Sequence, residues 1–206
     1  MSIKDFLISI DMHSEQTEME QLVKRFMDEM SAGLMGEPSS LLMIPSYFAP
    51  PEEFPQSGSA IAIDAGGTNL RTALVRFVDG RCEIFQYNSS PMPGSRGSIS
   101  SEEFFAAIAE IILPLTEFSR NIGFSFSYVA EIFPNLDGKI VSFNKEVSVQ
   151  GAEGKIIGQE LIAALKAQGA RGDFKFTLLN DTIVSLLGGI EKMNLSQMDG
   201  LAGMVL

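Results

Sequence analysis

The run Ile61-Ala-Ile-Asp-Ala-Gly-Gly-Thr-Asn-Leu-Arg71 carries an Asp, a glycine pair and two short polar side chains at the end of an apolar alternation. That order of residue types suits a hairpin that binds phosphate. Ile61, Ile63 and Ala65 predict a strand, Gly66 and Gly67 a tight reversal, and Leu70 to Phe77 a returning strand. Lacking Cβ atoms, the two glycines let backbone N–H groups come close to an anion. Thr68 and Asn69 can add hydrogen bonds, and Asp64 is suited to hold Mg²⁺ through water, as a hard oxygen ligand does. A glycine-containing β-hairpin without a ligand accounts for the same residues.

Other residues bound the chemistry. His13 is the only histidine and stands in a polar stretch, so serine or cysteine nucleophiles with a His base, and His-based zinc sites, are excluded as working hypotheses. Carboxylates must carry any acid–base step. Asp181, after Asn180 and before an apolar helical run, is also a natural helix cap. Lys145 beside Glu146 reads equally as a solvated pair. Ser127 ends a strand, and Glu153 suits a helix N-terminus.

The elements that must position these residues are legible from periodicity. Met19, Leu22, Val23, Phe26, Met27 and Met30 recur at three and four, predicting an amphipathic helix from Glu15 to about Gly33 whose Met stripe is read as a packing face rather than a partner groove. Five of the nine prolines fall between Gly36 and Gly58, which predicts an extended connector. Strands are expected at about 59–65, 69–78 and 81–87, the last two joined by Asp79-Gly80, a two-residue hairpin signal. Ser100-Ser-Glu-Glu103 is a capping box opening a helix with Phe104, Phe105, Ile108, Ile111 and Ile112 on its apolar positions. Strand-like runs at 121–127 and 174–179 flank a helix expected at about 155–168. The order predicts an α/β domain with a mixed sheet.

Composition narrows the partners. A chain of 206 residues with 45% hydrophobic content can bury a core. Net charge −11 disfavours nucleic acid and anionic membrane as partners. Cys82 is the only cysteine, so no internal disulfide forms, and with no signal-peptide layout the expected compartment is the cytoplasm. The apolar stretch near 104–115, interrupted by Glu110 and Pro114, falls short of the ~18 residues of a membrane helix. Neither Gly-x-Gly-x-x-Gly after a strand nor the P-loop pattern is present.

Taken in order, Ser40 to Phe48, the Asp64–Arg71 hairpin, Gly123-Phe-Ser-Phe-Ser-Tyr128, Asn144-Lys145, Gly151-Ala-Glu-Gly154 and Leu179-Asn-Asp-Thr182 resemble the hexokinase/glucokinase family. The resemblance implies the actin-like, ribonuclease-H-type ATPase fold, preceded by the N-terminal helix, with ATP and a hexose meeting between two lobes. It implies phosphate binding by Asp64, Gly66, Gly67, Thr68, Asn69 and Arg71, and water-mediated Mg²⁺ at Asp64. Sugar binding would fall to Ser127, Tyr128, Asn144, Lys145, Asn180 and Asp181, with Asp181 the catalytic base. The implied activity is ATP-dependent phosphorylation of a hexose, glucose first, at its 6-hydroxyl, the opening step of glycolysis. A catalytically weak hexose sensor on the same fold is the alternative.

Tyr128-Val129 where the family has Phe-Pro, Asn144 where it has Thr, and Glu146 where it has Gly are sugar-side departures, bearing on hexose preference more than on reaction class. The resemblance further implies an N-terminal helix and connector at 1–58 and a small lobe at 59–206. The chain would stop before the second phosphate loop, so the C-terminal lobe would be the missing partner and the piece by itself would be inactive.

Overall fold

The computed structural model describes residues 2–10, 12–13, 18–49, 55–143 and 147–190. The chain divides into two compact units, 1–45 and 46–206, the division falling inside the proline-rich stretch.

The first unit holds two helices. Helix α1 (Ile3–Ser9) opens with a capping box that the periodicity does not reveal: Ser2 Oγ accepts from Asp5 N, and Asp5 Oδ2 accepts from Ser2 N. Helix α2 (Met19–Leu34) follows the predicted stripe, but none of its residues is buried, and Leu22, Val23, Phe26 and Met27 are each more than half exposed. The expected packing face is therefore uncovered among the described residues. The chain turns back along α2 because Glu29 gathers it. Its Oε2 accepts from Ser40 N at 2.7 Å, Ser40 Oγ at 2.9 Å and Ser39 Oγ at 3.0 Å, and the Ser40 N–H above all holds the carboxyl below its ordinary value.

The second unit is a mixed sheet flanked by helices, the architecture of a ribonuclease-H-like, actin-like ATPase lobe. Strands β1 (Ser57–Ala65), β2 (Asn69–Val78) and β3 (Arg81–Pro91) form an antiparallel meander. The β2–β3 turn puts Asp79 at φ +50° and Gly80 at φ +73°, as a two-residue hairpin demands. After the short β4 (Ile99–Ser100) comes α3 (Ser101–Ile112), with the predicted Ser100–Glu103 capping box in place. Strand β5 (Asn121–Phe126) pairs parallel with β1. The ribbon β6 (Val129–Ile132) and β7 (Gly138–Ser142), and β8 (Val149–Gln150) beside β4, lie outside the expected set. Helix α4 (Ile157–Ala167), β9 (Lys175–Asn180) and α5 (Asp181–Ile190) complete the description, giving sheet order β3-β2-β1-β5-β9.

One apolar cluster unites the sheet with α3 and α4. Ile61, Ile63, Leu74, Ile122 and Phe124 meet Phe104, Phe105, Ile108, Ile112, Leu161 and Leu165, all nearly inaccessible to water. Strand alternation decides which residues serve the core: Ile61, Ile63 and Ala65 are buried, while Ala62 and Asp64 face the other side. Two glycines permit close packing. A Cβ on Gly158 would lie 2.4 Å from Phe176, and one on Gly138 would lie 2.6 Å from Leu178. Asp137 anchors both segments, its Oδ1 accepting from Gly138 N and Gly158 N at 2.8 Å each. No described helix is long and apolar enough to cross a membrane.

Candidate active site at the carboxyl edge of the sheet

Parallel pairing sets the site. Ala65 lies beside Phe126, and Phe126 beside Asn180, at the ends of three adjacent strands. The segments leaving those ends are the glycine hairpin, Ser127-Tyr128, and Asp181 at the start of α5. Adjacent strands are ~4.8 Å apart, so β1 and β9 ends stand roughly 10 Å from each other with Ser127 between. Ligands of open α/β sheets characteristically bind outside such strand ends.

The hairpin is closed by backbone. Gly66 N donates to Asn69 O at 3.1 Å. Gly66 does not take a left-handed φ; a Cβ there would sit 3.3 Å from Asn69 O, a tight contact that would press on the turn. Four consecutive carbonyls are held from inside the protein. Ala65 O accepts from Ser127 N at 3.2 Å, and Thr68 O from Met92 N at 2.9 Å. Between them, Gly66 O and Gly67 O both accept from Tyr128 Oη, at 2.9 and 3.2 Å. Thr68 and Asn69 are exposed at the tip, Asn69 Nδ2 donating to Thr68 Oγ1 at 3.2 Å.

Asp64 and Arg71 face each other across β1 and β2, with Arg71 Nη1 2.9 Å from Asp64 Oδ2 and both side chains partly exposed. A carboxylate has about four acceptor sites, so this pair leaves Asp64 capacity for a water-coordinated cation. Magnesium is commonly held by one or two carboxylates, waters and substrate phosphates. The residues present fit that pattern: Asp64 is the carboxylate beside the turn, and the glycine turn allows the close backbone approach a phosphate needs. Among the described residues no group of three His, Cys, Asp or Glu forms an all-protein metal cage.

Asp181 is the first residue of α5, but the capping hydrogen bond belongs to its neighbour: Asn180 Oδ1 accepts from Thr182 N at 3.0 Å. Structure thus assigns the cap to Asn180 and not to Asp181, whose Oδ1 lies 3.4 Å from Thr182 Oγ1. Ser127 is half-buried at the end of β5. Tyr128, expected on the sugar side, is only 3% exposed and packs between Phe126 and Phe143, with centroids 5.2 and 4.7 Å away. Burial pushes its hydroxyl up to about 12, so it stays protonated and able to donate. Asn144 and Lys145, with Glu146, lie outside the described residues. Glu153 is exposed in the turn before α4, and the cap of that helix comes instead from Asp137, which sequence reading missed because it acts from 21 residues away.

Known proteins resemble this chain in sequence and fold. The chain is 31% identical over 175 residues to hexokinase-1 of Schizosaccharomyces pombe, covering 81% of the chain and 36% of that protein. It is 30% identical over 201 residues to hexokinase-2 of Candida albicans, covering 91% and 39%. Among solved structures, the hexokinase from Schistosoma mansoni complexed with glucose superposes with a TM-score of 0.72 at 27% identity, over 82% of this chain and 40% of that one. The chain therefore spans well under half the length of these relatives. Residues 3–190 match the family described as hexokinase, and the chain belongs to that family.

Proposed function

We propose that this chain is one lobe of an ATP-dependent hexose kinase that phosphorylates the 6-hydroxyl of glucose, with a C-terminal lobe completing the site. The observation that carries the reading is the strand register, which aligns the glycine hairpin, Ser127 and Asp181 along one edge of the sheet.

In this reading Gly66, Gly67, Thr68, Asn69 and Arg71 hold the ATP phosphates, and Asp64 holds Mg²⁺ through water. Magnesium, when bound, offsets charge on the phosphates. Ser127, Asn180, Asn144 and Lys145 hold the sugar hydroxyls. As the sugar oxygen forms its bond to the terminal phosphorus and the bond to ADP breaks, Asp181 accepts the hydroxyl proton. Phosphoryl transfer asks the protein mainly for positioning and electrostatics, and the two sides of this edge supply one each.

The test is turnover by the full-length polypeptide with Mg-ATP and a hexose panel. Glucose 6-phosphate formation on the order of 1–100 per second is expected. Saturable glucose binding with no phosphorylated product would instead indicate a hexose sensor and defeat the proposal.

A further inference from the structure

The geometry points to Tyr128 as a positioning residue of the phosphate hairpin: its hydroxyl draws the Gly66 and Gly67 carbonyls inward and thereby turns the N–H groups of Gly67 and Thr68 outward. This rests on the phosphoryl-transfer reading above for its functional meaning, though not for its geometry. In a planar trans peptide the C=O and the following N–H point in opposite directions. Fixing the Gly66 and Gly67 oxygens toward the core at 2.9 and 3.2 Å therefore fixes where two donors face.

The tyrosine is built to hold that position. Phe126 and Phe143 clamp its ring, and Phe126 is itself clamped by Phe124 at 5.7 Å. The preceding residue ties the same two segments, Ser127 N donating to Ala65 O. With Met92 N on Thr68 O, every carbonyl from Ala65 to Thr68 is engaged from the protein side. Without the hydroxyl, the two glycine peptides lose their inward anchors, and glycine is the residue least able to resist a peptide rotation. A rotated peptide would present a carbonyl oxygen to a phosphate and repel it. The protonated state suits the task, since phenolate has no proton to donate and the single O–H proton is shared between the two carbonyls as a bifurcated bond.

Tyr128→Phe tests this, because it keeps the ring and removes only the donor. In the full-length polypeptide, KM for ATP should rise about fivefold, the scale of one neutral hydrogen bond, while KM for glucose changes less than about twofold. Amide hydrogen exchange across 64–71 should accelerate in the same variant with no ligand present. Unchanged exchange overturns the tether. Faster exchange with an unchanged KM for ATP overturns the outward-facing donors, and a joint rise in both KM values reduces Tyr128 to a general packing role. If the wild-type protein turns over no hexose, the kinase reading fails separately, and exchange together with the calorimetric Kd for Mg-ATP still judges Tyr128: an unchanged pair overturns the inference and a change in both sustains it.

Discussion

The proposed phosphate side and the proposed sugar side of the candidate site are built by different means. The hairpin from Asp64 to Arg71 closes locally, by a hydrogen bond between residues three apart and a cross-strand pair in direct register, and distant residues only anchor its carbonyls afterwards. The segment that begins at Ser127 is shaped by an aromatic cluster whose members, Phe126, Tyr128 and Phe143, come from β5, the following loop and the end of β7. A site half can thus be specified by turn chemistry or by distant packing, and only the first leaves a compact mark in sequence.

Substitutions should grade the two halves by stability. Phe126→Ala, in the cluster and 2% exposed, should cost about 3–5 kcal/mol in denaturant titration, as large aromatic truncations in cores do. A cost below about 1 kcal/mol would mean the sugar side is not held by packing.

A smaller effect is expected from alkali. The Tyr128 hydroxyl titrates near 10 when unfolded and is raised to about 12 when folded. Its folded pKa being the higher, the associated stability is complete below pH 10 and is lost as pH climbs toward 12, where the unfolded state releases a proton the native state retains. The wild type should lose more stability between those values than Tyr128→Phe. Parallel pH profiles for the two proteins would contradict it.

The smallest effect belongs to the phosphate side. Arg71→Ala removes a partly exposed pair and should change the unfolding free energy by less than about 1 kcal/mol. A larger loss would make the Asp64–Arg71 pair, rather than the backbone, the hairpin's main support.

These contrasts explain what was legible beforehand. The hairpin, the Asp79-Gly80 turn and the Ser100–Glu103 box each place all their determinants within a few residues, and the sheet's three central strands show clear apolar runs. The β6–β7 ribbon was missed because Val129–Ile132 is four residues long and its turn depends on Asp137, which also caps α4 across the fold. Asp181 reads as a helix cap from sequence, but Asn and Asp are equally good caps, and only the hydrogen bond from Thr182 N to Asn180 Oδ1 distinguishes them. Tyr128 reads as a sugar-side residue from its place beside Ser127; that its ring turns under the glycines depends on Phe143, fifteen residues later. The α2 stripe has helical period, but period alone does not reveal what covers it.

The most direct test concerns Asp181, because the proposed chemistry requires it to accept a proton while the structure gives the helix cap to Asn180. Asp181→Asn keeps the shape of the side chain and leaves that cap intact, so in the full-length polypeptide the melting temperature should stay within error while kcat falls roughly 10²–10⁴-fold, the range for a lost general base. An Asp181→Asn protein that phosphorylates glucose at near wild-type kcat would contradict the account.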